Sequence, residues 1–174
     1  MKERIHVFDY AEHIAKMLEK GILLNTSGDK FNSMVIGWGH LGVIWNLPTF
    51  IVYVRQSRYT KTQLDKTGEF SISLPSEQTE SLSPEIVHVF GNQSGRDLNK
   101  ADYVTLVEGE SINTPAILEY PLTLECKVLY QQDQILDRIP EDIHQHFYAK
   151  GGNSGDFHTA YIGQIVDAYR ILKD

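Results

Sequence analysis

Residues Phe50 to Gly68 read FIVYVRQSRYTKTQLDKTG and join a strand to a helix through a basic, hydroxyl-rich turn. Phe50, Val52 and Val54 alternate with Ile51, Tyr53 and Arg55 in β-favouring residues, which predicts a strand. Ser57 offers an N-cap for the helix that follows, Leu64 an apolar anchor, and Gly68 a left-handed C-terminal residue. Between them cluster Arg55, Ser57, Arg58, Tyr59, Thr60 and Lys61. Free N–H groups at a helix start, hydroxyl donors and guanidinium groups are what a phosphate dianion needs away from bulk water. The stretch therefore reads as a phosphate cradle, or else as a solvated basic turn.

The surrounding composition sharpens that contrast. The chain has 174 residues and a formal charge of −7, which argues against non-specific binding to DNA or to an anionic membrane. One domain spanning 1–174 is expected from the length. The single cysteine, Cys126, excludes an internal disulfide and the usual cysteine-based zinc sites. The start MKERIHVFDYAEH lacks an apolar signal core, and no apolar run has the length of a membrane span, so a soluble, cytoplasmic protein is expected.

Upstream, Asp9 and Glu12 form a capping-box pattern ahead of a short amphipathic lid helix ending at Lys20. Ile22 to Thr26, the turn Ser27-Gly28-Asp29 and Phe31 to Leu41 predict a hairpin. In its second arm Gly37 and Gly39 flank Trp38, so either a planar ligand lies there or the strand bends with Trp38 filling the core. Asn32 and Ser33 can donate to a ligand or bond to their own turn.

Downstream, Glu69 to Leu74 alternates as a strand, and Ser83-Pro84-Glu85 starts a helix reaching Gly91. The loop Gly91 to Asp102 carries Arg96 and Lys100, a second set of anion donors if the fold brings it to the first. Leu122 to Gln131 has the cleanest period-two pattern, with Cys126 on the apolar side as a structural thiol. Pro140 to Tyr148 predicts a helical insertion, 151–155 a flexible loop, and His158 to Leu172 a long strand with a bulge at Gly163. Several strands with short helices and no regular βαβ alternation favour an antiparallel barrel.

No nucleophile elbow, zinc-protease motif or phosphate-binding Walker loop is present, and His144 and His146 read as a surface pair, so no metal is predicted. A phosphate cradle without acid–base machinery suits a cofactor that brings its own reactivity, and flavin is one.

Taken together, Asn32 to Gly39, Val54 to Thr60, Ser94-Gly95-Arg96-Asp97 with Lys100, Leu124 to Val128, and His158 five residues before Gly163 resemble the flavin reductase-like family, which includes the flavoredoxins. The resemblance implies a mainly β fold, a six-stranded antiparallel Greek-key split barrel, assembled as a homodimer with FMN near the subunit interface. It implies that Arg55, Ser57, Arg58, Tyr59 and Thr60 hold the phosphate. It implies that Asn32, Ser33, Met34, Gly37, Trp38 and Gly39 line the flavin and its ribityl chain, with Arg96 and Lys100 as further contacts. His158 is the implied catalytic residue on the nicotinamide side, or a structural hydrogen-bonding group. Phe90 stands where many flavoredoxin-like members have a cysteine. The implied activity passes hydride or electrons from NAD(P)H through FMN to a flavin, a ferric complex or another acceptor. The alternatives are an FMN-binding electron carrier or sensor, and a barrel that has lost flavin.

Overall fold

The computed structural model describes residues 1–79, 81–150 and 154–172. The strands are β1 (Lys2–Arg4), β2 (Ile22–Ser27), β3 (Phe31–Ile36), β4 (Gly39–Ile44), β5 (Leu47–Arg55), β6 (Glu69–Leu74), β7 (Leu106–Val107), β8 (Ala116–Ile117), β9 (Leu122–Asp133) and β10 (His158–Ile171). The helices are α1 (Ala11–Lys20), α2 (Tyr59–Thr67), α3 (Pro84–Asn92) and α4 (Glu141–Phe147). The first three residues of the loop expected over 151–155 lie outside the described residues.

The main sheet is antiparallel, in the order β3-β2-β6-β9-β10-β5-β4, with β1 added to β10. It holds eight strands against the six expected. One difference is that Phe31 to Leu41 is not a single arm: the chain leaves β3 at Ile36, passes Gly37-Trp38 and starts β4, which returns through a tight hairpin into β5. Trp45 and Asn46, at φ 53° and 60°, form that hairpin turn, a pairing of left-handed residues that matches strand twist. β3 and β4 are not paired with each other, so the barrel is split at Gly37-Trp38.

Residues of one alternating set fill the interior. Phe50, Val52 and Val54 of β5 meet Ile72 of β6, Leu124 of β9 and Tyr161 of β10, all buried. Cys126 is buried in the same core, as expected, and burial and the Glu125 charge push its thiol well above the ordinary range. The predicted bulge at Gly163 is present as a register shift. A Cβ there would lie 2.6 Å from the Phe70 ring, so glycine is required by close approach.

Helix α1 corrects one expectation. Asp9 belongs to a 3₁₀ turn, Val7–Tyr10, and Tyr10 is the N-cap, without a side-chain cap bond; Asp9 pairs with His6 instead. The helix is amphipathic, as expected, and lies on the barrel. Ile14, Met17 and Leu18 are buried in the barrel core, each worth about 1.5–3 kcal/mol if fully transferred from water. The Leu18 backbone oxygen lies 3.4 Å from where a Gly37 Cβ would sit, so the last turn of α1 closes the split.

Candidate functional site

α2 begins where β5 ends, through a turn in which the Arg58 N–H donates to the Arg55 carbonyl. The N-cap is Arg58, not the expected Ser57. The Ser57 N–H and hydroxyl both donate to the Asp156 carboxylate, at 3.1 and 2.6 Å, a partner 99 residues away that local spacing could not reveal. Gly68 ends the helix in the left-handed conformation, φ 64°, as predicted.

Arg58 provides no side-chain cap, and the N–H groups of Tyr59 and Thr60 have no partner among the described residues. The Thr60 hydroxyl oxygen accepts from Asn32 Nδ2 at 2.9 Å, which leaves its own proton available. Opposite them runs the Ser94-Gly95-Arg96 turn. A Cβ on Gly95 would lie 2.0 Å from Asn32 Oδ1, so only glycine lets the two segments meet. Arg96 lies over the Tyr59 ring at 5.4 Å and donates to the Ser57 carbonyl at 3.1 Å. The enclosed cavity is about 170 Å³.

Lys100 forms its inner wall. The side chain is buried and its ammonium donates to the carbonyls of Ser33 and Phe90, at 2.6 and 3.3 Å. Burial, helped by the Arg58 charge, pushes its pKa down to about 8. Lys61 turns away: it pairs with Asp65 at 2.9 Å and donates to the Tyr161 hydroxyl. Ser33 supplies its backbone carbonyl here, and its buried hydroxyl has no partner among the described residues.

A second cavity, about 180 Å³, adjoins the first and shares Met34, Val35 and Arg58 with it. Ile36, Gly37, Trp38, Tyr53, Arg55 and His158 complete it. Trp38 is 42% exposed, so it does not fill the core. Its ring packs edge-on to Phe147 at 5.2 Å and lies 4.9 Å from His158. Gly39 serves the sheet, because a Cβ there would lie 2.9 Å from the Ile51 carbonyl. Arg55 and His158 face each other across β5 and β10. Arg55 donates to the carbonyls of Asp156 and Phe147, and lies over the Tyr148 ring at 5.2 Å, so these three residues are strapped to the site. Burial first, then the Arg55 charge, push the His158 pKa down to about 4, and the ring is neutral at physiological pH.

Four cationic side chains, Arg55, Arg58, Arg96 and Lys100, line these joined cavities, and among the described residues no carboxylate does. The Arg58 guanidinium makes no hydrogen bond or ion pair among the described residues, although it lines both. By contrast, a larger groove along α1, about 450 Å³, mixes the carboxylates of Asp9, Glu12, Glu19 and Glu77 with the ammonium groups of Lys16 and Lys20. The strap residues Phe147, Tyr148 and Asp156, and Tyr53, were not singled out from the sequence; only the outward alternation of Tyr53 with Arg55 could have flagged one of them.

The family profile described as Flavin reductase like domain matches residues 16–173. A curated relative, an uncharacterized protein of Archaeoglobus fulgidus, is 28% identical over 117 residues, 66% of this chain and 52% of its own length, so the chain spans about half of that relative. Among solved structures, flavoredoxin from Methanosarcina acetivorans is similar at 25% identity and TM-score 0.64, over 87% of this chain and 68% of that one. Flavoredoxin of Desulfovibrio vulgaris is 24% identical at TM-score 0.63, over 88% and 72%. The NADH:FAD oxidoreductase SgcE6 of Streptomyces globisporus shares the fold at 18% identity and TM-score 0.62, over 87% and 75%. No helix among the described residues is long and apolar enough to cross a membrane. With a profile match over nearly its whole length and a split antiparallel barrel like theirs, the chain belongs to the flavin reductase-like family.

Proposed function

We propose that the two joined cavities bind FMN and that the protein is an oxidoreductase passing hydride or electrons from NAD(P)H to a flavin, a ferric complex or another small acceptor. The observation that carries this is the convergence of four cations and two unpartnered helix N–H groups, without a lining carboxylate, in a protein of formal charge −7. Such a set fits a phosphate dianion.

Arg58, the Tyr59 and Thr60 N–H groups, the Thr60 hydroxyl and Arg96 surround the phosphate position. Arg55 and Ser57 brace its edge through Asp156. Asn32 lines the first cavity, Met34 lines both, and Gly37 and Trp38 form the ring side, whereas Ser33 and Gly39, also expected there, line neither cavity. Lys100 holds the Ser33 strand and the α3 terminus at a fixed distance while adding positive potential. FMN supplies the hydride- and electron-transferring ring; the chain binds it, orients it and limits water. His158 stands at the ring side as the candidate catalytic residue.

A homodimer accords with the apolar row Tyr130, Ile162 and Ile51, neighbours in register on the outer face of β9, β10 and β5. A second reading, an electron carrier without NAD(P)H turnover, draws on the Phe147 edge against Trp38, which narrows the ring side.

A visible absorption spectrum, before and after anaerobic NADH and then NADPH, tests both. A bound-flavin spectrum that bleaches with either donor supports the reductase. Bleaching only by a chemical reductant favours the carrier, and a colourless protein that takes up no FMN refutes both.

A further inference from the structure

Gln134, Tyr148 and His158 form a closed hydrogen-bonded group behind the ring-side cavity. The His158 backbone N–H donates to Gln134 Oε1 at 3.2 Å. A backbone N–H can only donate, so the atom it faces is the amide oxygen and the orientation of Gln134 is fixed. The Tyr148 hydroxyl oxygen lies 3.0 Å from the same Oε1. Two oxygens at that separation need a proton between them, and the amide oxygen carries none. The single hydroxyl proton of Tyr148 therefore points to Gln134.

That choice decides the state of the histidine. Tyr148 Oη lies 2.9 Å from His158 Nδ1 and has no second proton, so towards Nδ1 it accepts. Nδ1 carries the hydrogen, and in the neutral ring Nε2 is bare. Nε2 makes no hydrogen bond among the described residues, on a side chain that lines the cavity. The charged groups around the ring favour neutrality in sum. Burial, the largest influence, opposes protonation together with Arg55 of the facing strand and Arg58 at the α2 start, and only Asp156 of the strap favours it.

We propose that Tyr148 and Gln134 are positioning residues that hold His158 in its Nδ1–H tautomer, so that Nε2 meets the bound ligand as a hydrogen-bond acceptor and selects a ring edge bearing an N–H donor. The tautomer is a property of the free protein; the ligand side rests on the FMN function proposed above. Two sources offer that donor, the imide N–H of the flavin ring and the carboxamide of a nicotinamide. A neutral His158 with a bare Nε2 has no proton to give at physiological pH, so it orients the ligand rather than protonating it.

The test is a long-range ¹H–¹⁵N correlation spectrum of the full chain labelled with ¹⁵N-histidine, with His158 assigned by the signals lost in H158Q. The expected result is an unprotonated Nε2 in the wild type. In Q134L the Tyr148 proton is released to Nδ1, and the signal pattern reverses to the Nε2–H tautomer; in Y148F the hold on Nδ1 is lost and the pattern becomes mixed. A protonated Nε2 in the wild type, or an unchanged pattern in both variants, overturns the proposal. An upfield shift of Nε2 on adding FMN alone assigns the donor to the flavin, and a shift only after NAD⁺ follows assigns it to the carboxamide. No shift under either, with flavin absorbance showing saturation, overturns the acceptor role. A protein that takes up no FMN refutes the FMN function instead, while the free-protein spectra still decide the tautomer.

Discussion

Among the described residues, two pairs of adjacent backbone N–H groups differ in whether the chain supplies their acceptor. Around Glu125, which is fully buried, one carboxylate oxygen accepts from the Glu110 N–H and the Tyr169 hydroxyl, both at 2.7 Å, and the other from the Ser111 N–H at 2.6 Å. The chain supplies its own anion there. At the start of α2 the Tyr59 and Thr60 N–H groups, with Arg58 beside them, have no such partner among the described residues. Anion chemistry completed from within fixes a loop, whereas the same donors left open are what the proposed phosphate site draws on. Asp156 on Ser57 stands between the two cases, an internal anion at the edge of the open one.

The contrast breaks most visibly at Glu125. Glu125→Ala strands two N–H donors and a hydroxyl in the interior, a loss of about 3–5 kcal/mol in stability. Chemical denaturation measures it, and the folded fraction should keep wild-type FMN affinity; weakened affinity at unchanged stability would erase the distinction. Arg58→Ala should do the opposite. Removing a charged donor from the phosphate costs about 1.5–3 kcal/mol of binding, about 10- to 100-fold in Kd by flavin titration, while stability stays within about 0.5 kcal/mol.

Lys100 sharpens the comparison with the smallest effect, because pH moves stability and binding in opposite directions. Its folded pKa is about 8 against an ordinary 10.5, so between those values the unfolded chain binds the extra proton. Stability therefore rises with pH across that window as the cost of burying the charge is relieved. Over the same window the anion loses an attracting charge. FMN affinity should fall a few-fold from pH 7 to 9.5 in the wild type and stay flat in Lys100→Met, as followed by flavin fluorescence.

What the sequence disclosed divides along chain distance. The alternation of Phe50 to Arg55, the glycine stop at Gly68, the buried Cys126 and the Gly163 bulge depend on near neighbours, and each is present in the structure. The cationic cluster was legible as composition, and the fold joins Arg96 and Lys100 to it. Ser57 and Asp9 were misassigned as caps because each found a different partner: the distant Asp156 for Ser57, and the neighbouring His6 once a 3₁₀ turn displaced the start of α1 for Asp9. The break between β3 and β4 hid in a short apolar run, since β pairing with β5, rather than local pattern, places Gly39 in a new strand. The strap of Phe147, Tyr148 and Asp156 gave no signal, because carbonyl and aromatic contacts leave no periodicity.

β10 carries a consequence for how this sequence can drift. Tyr161 and Gly163 point into the barrel while His158, Ala160 and Ile162 face outward, and Phe70 pins the chain at Gly163. Side-chain direction alternates with every residue, so deleting or inserting one residue between His158 and Gly163 turns the histidine from the cavity into the packed interior. Lineages can exchange side chains along this segment far more freely than they can change its length. The spacing from His158 to the glycine is thus inherited as a count, with two core residues and a cavity residue riding on its parity.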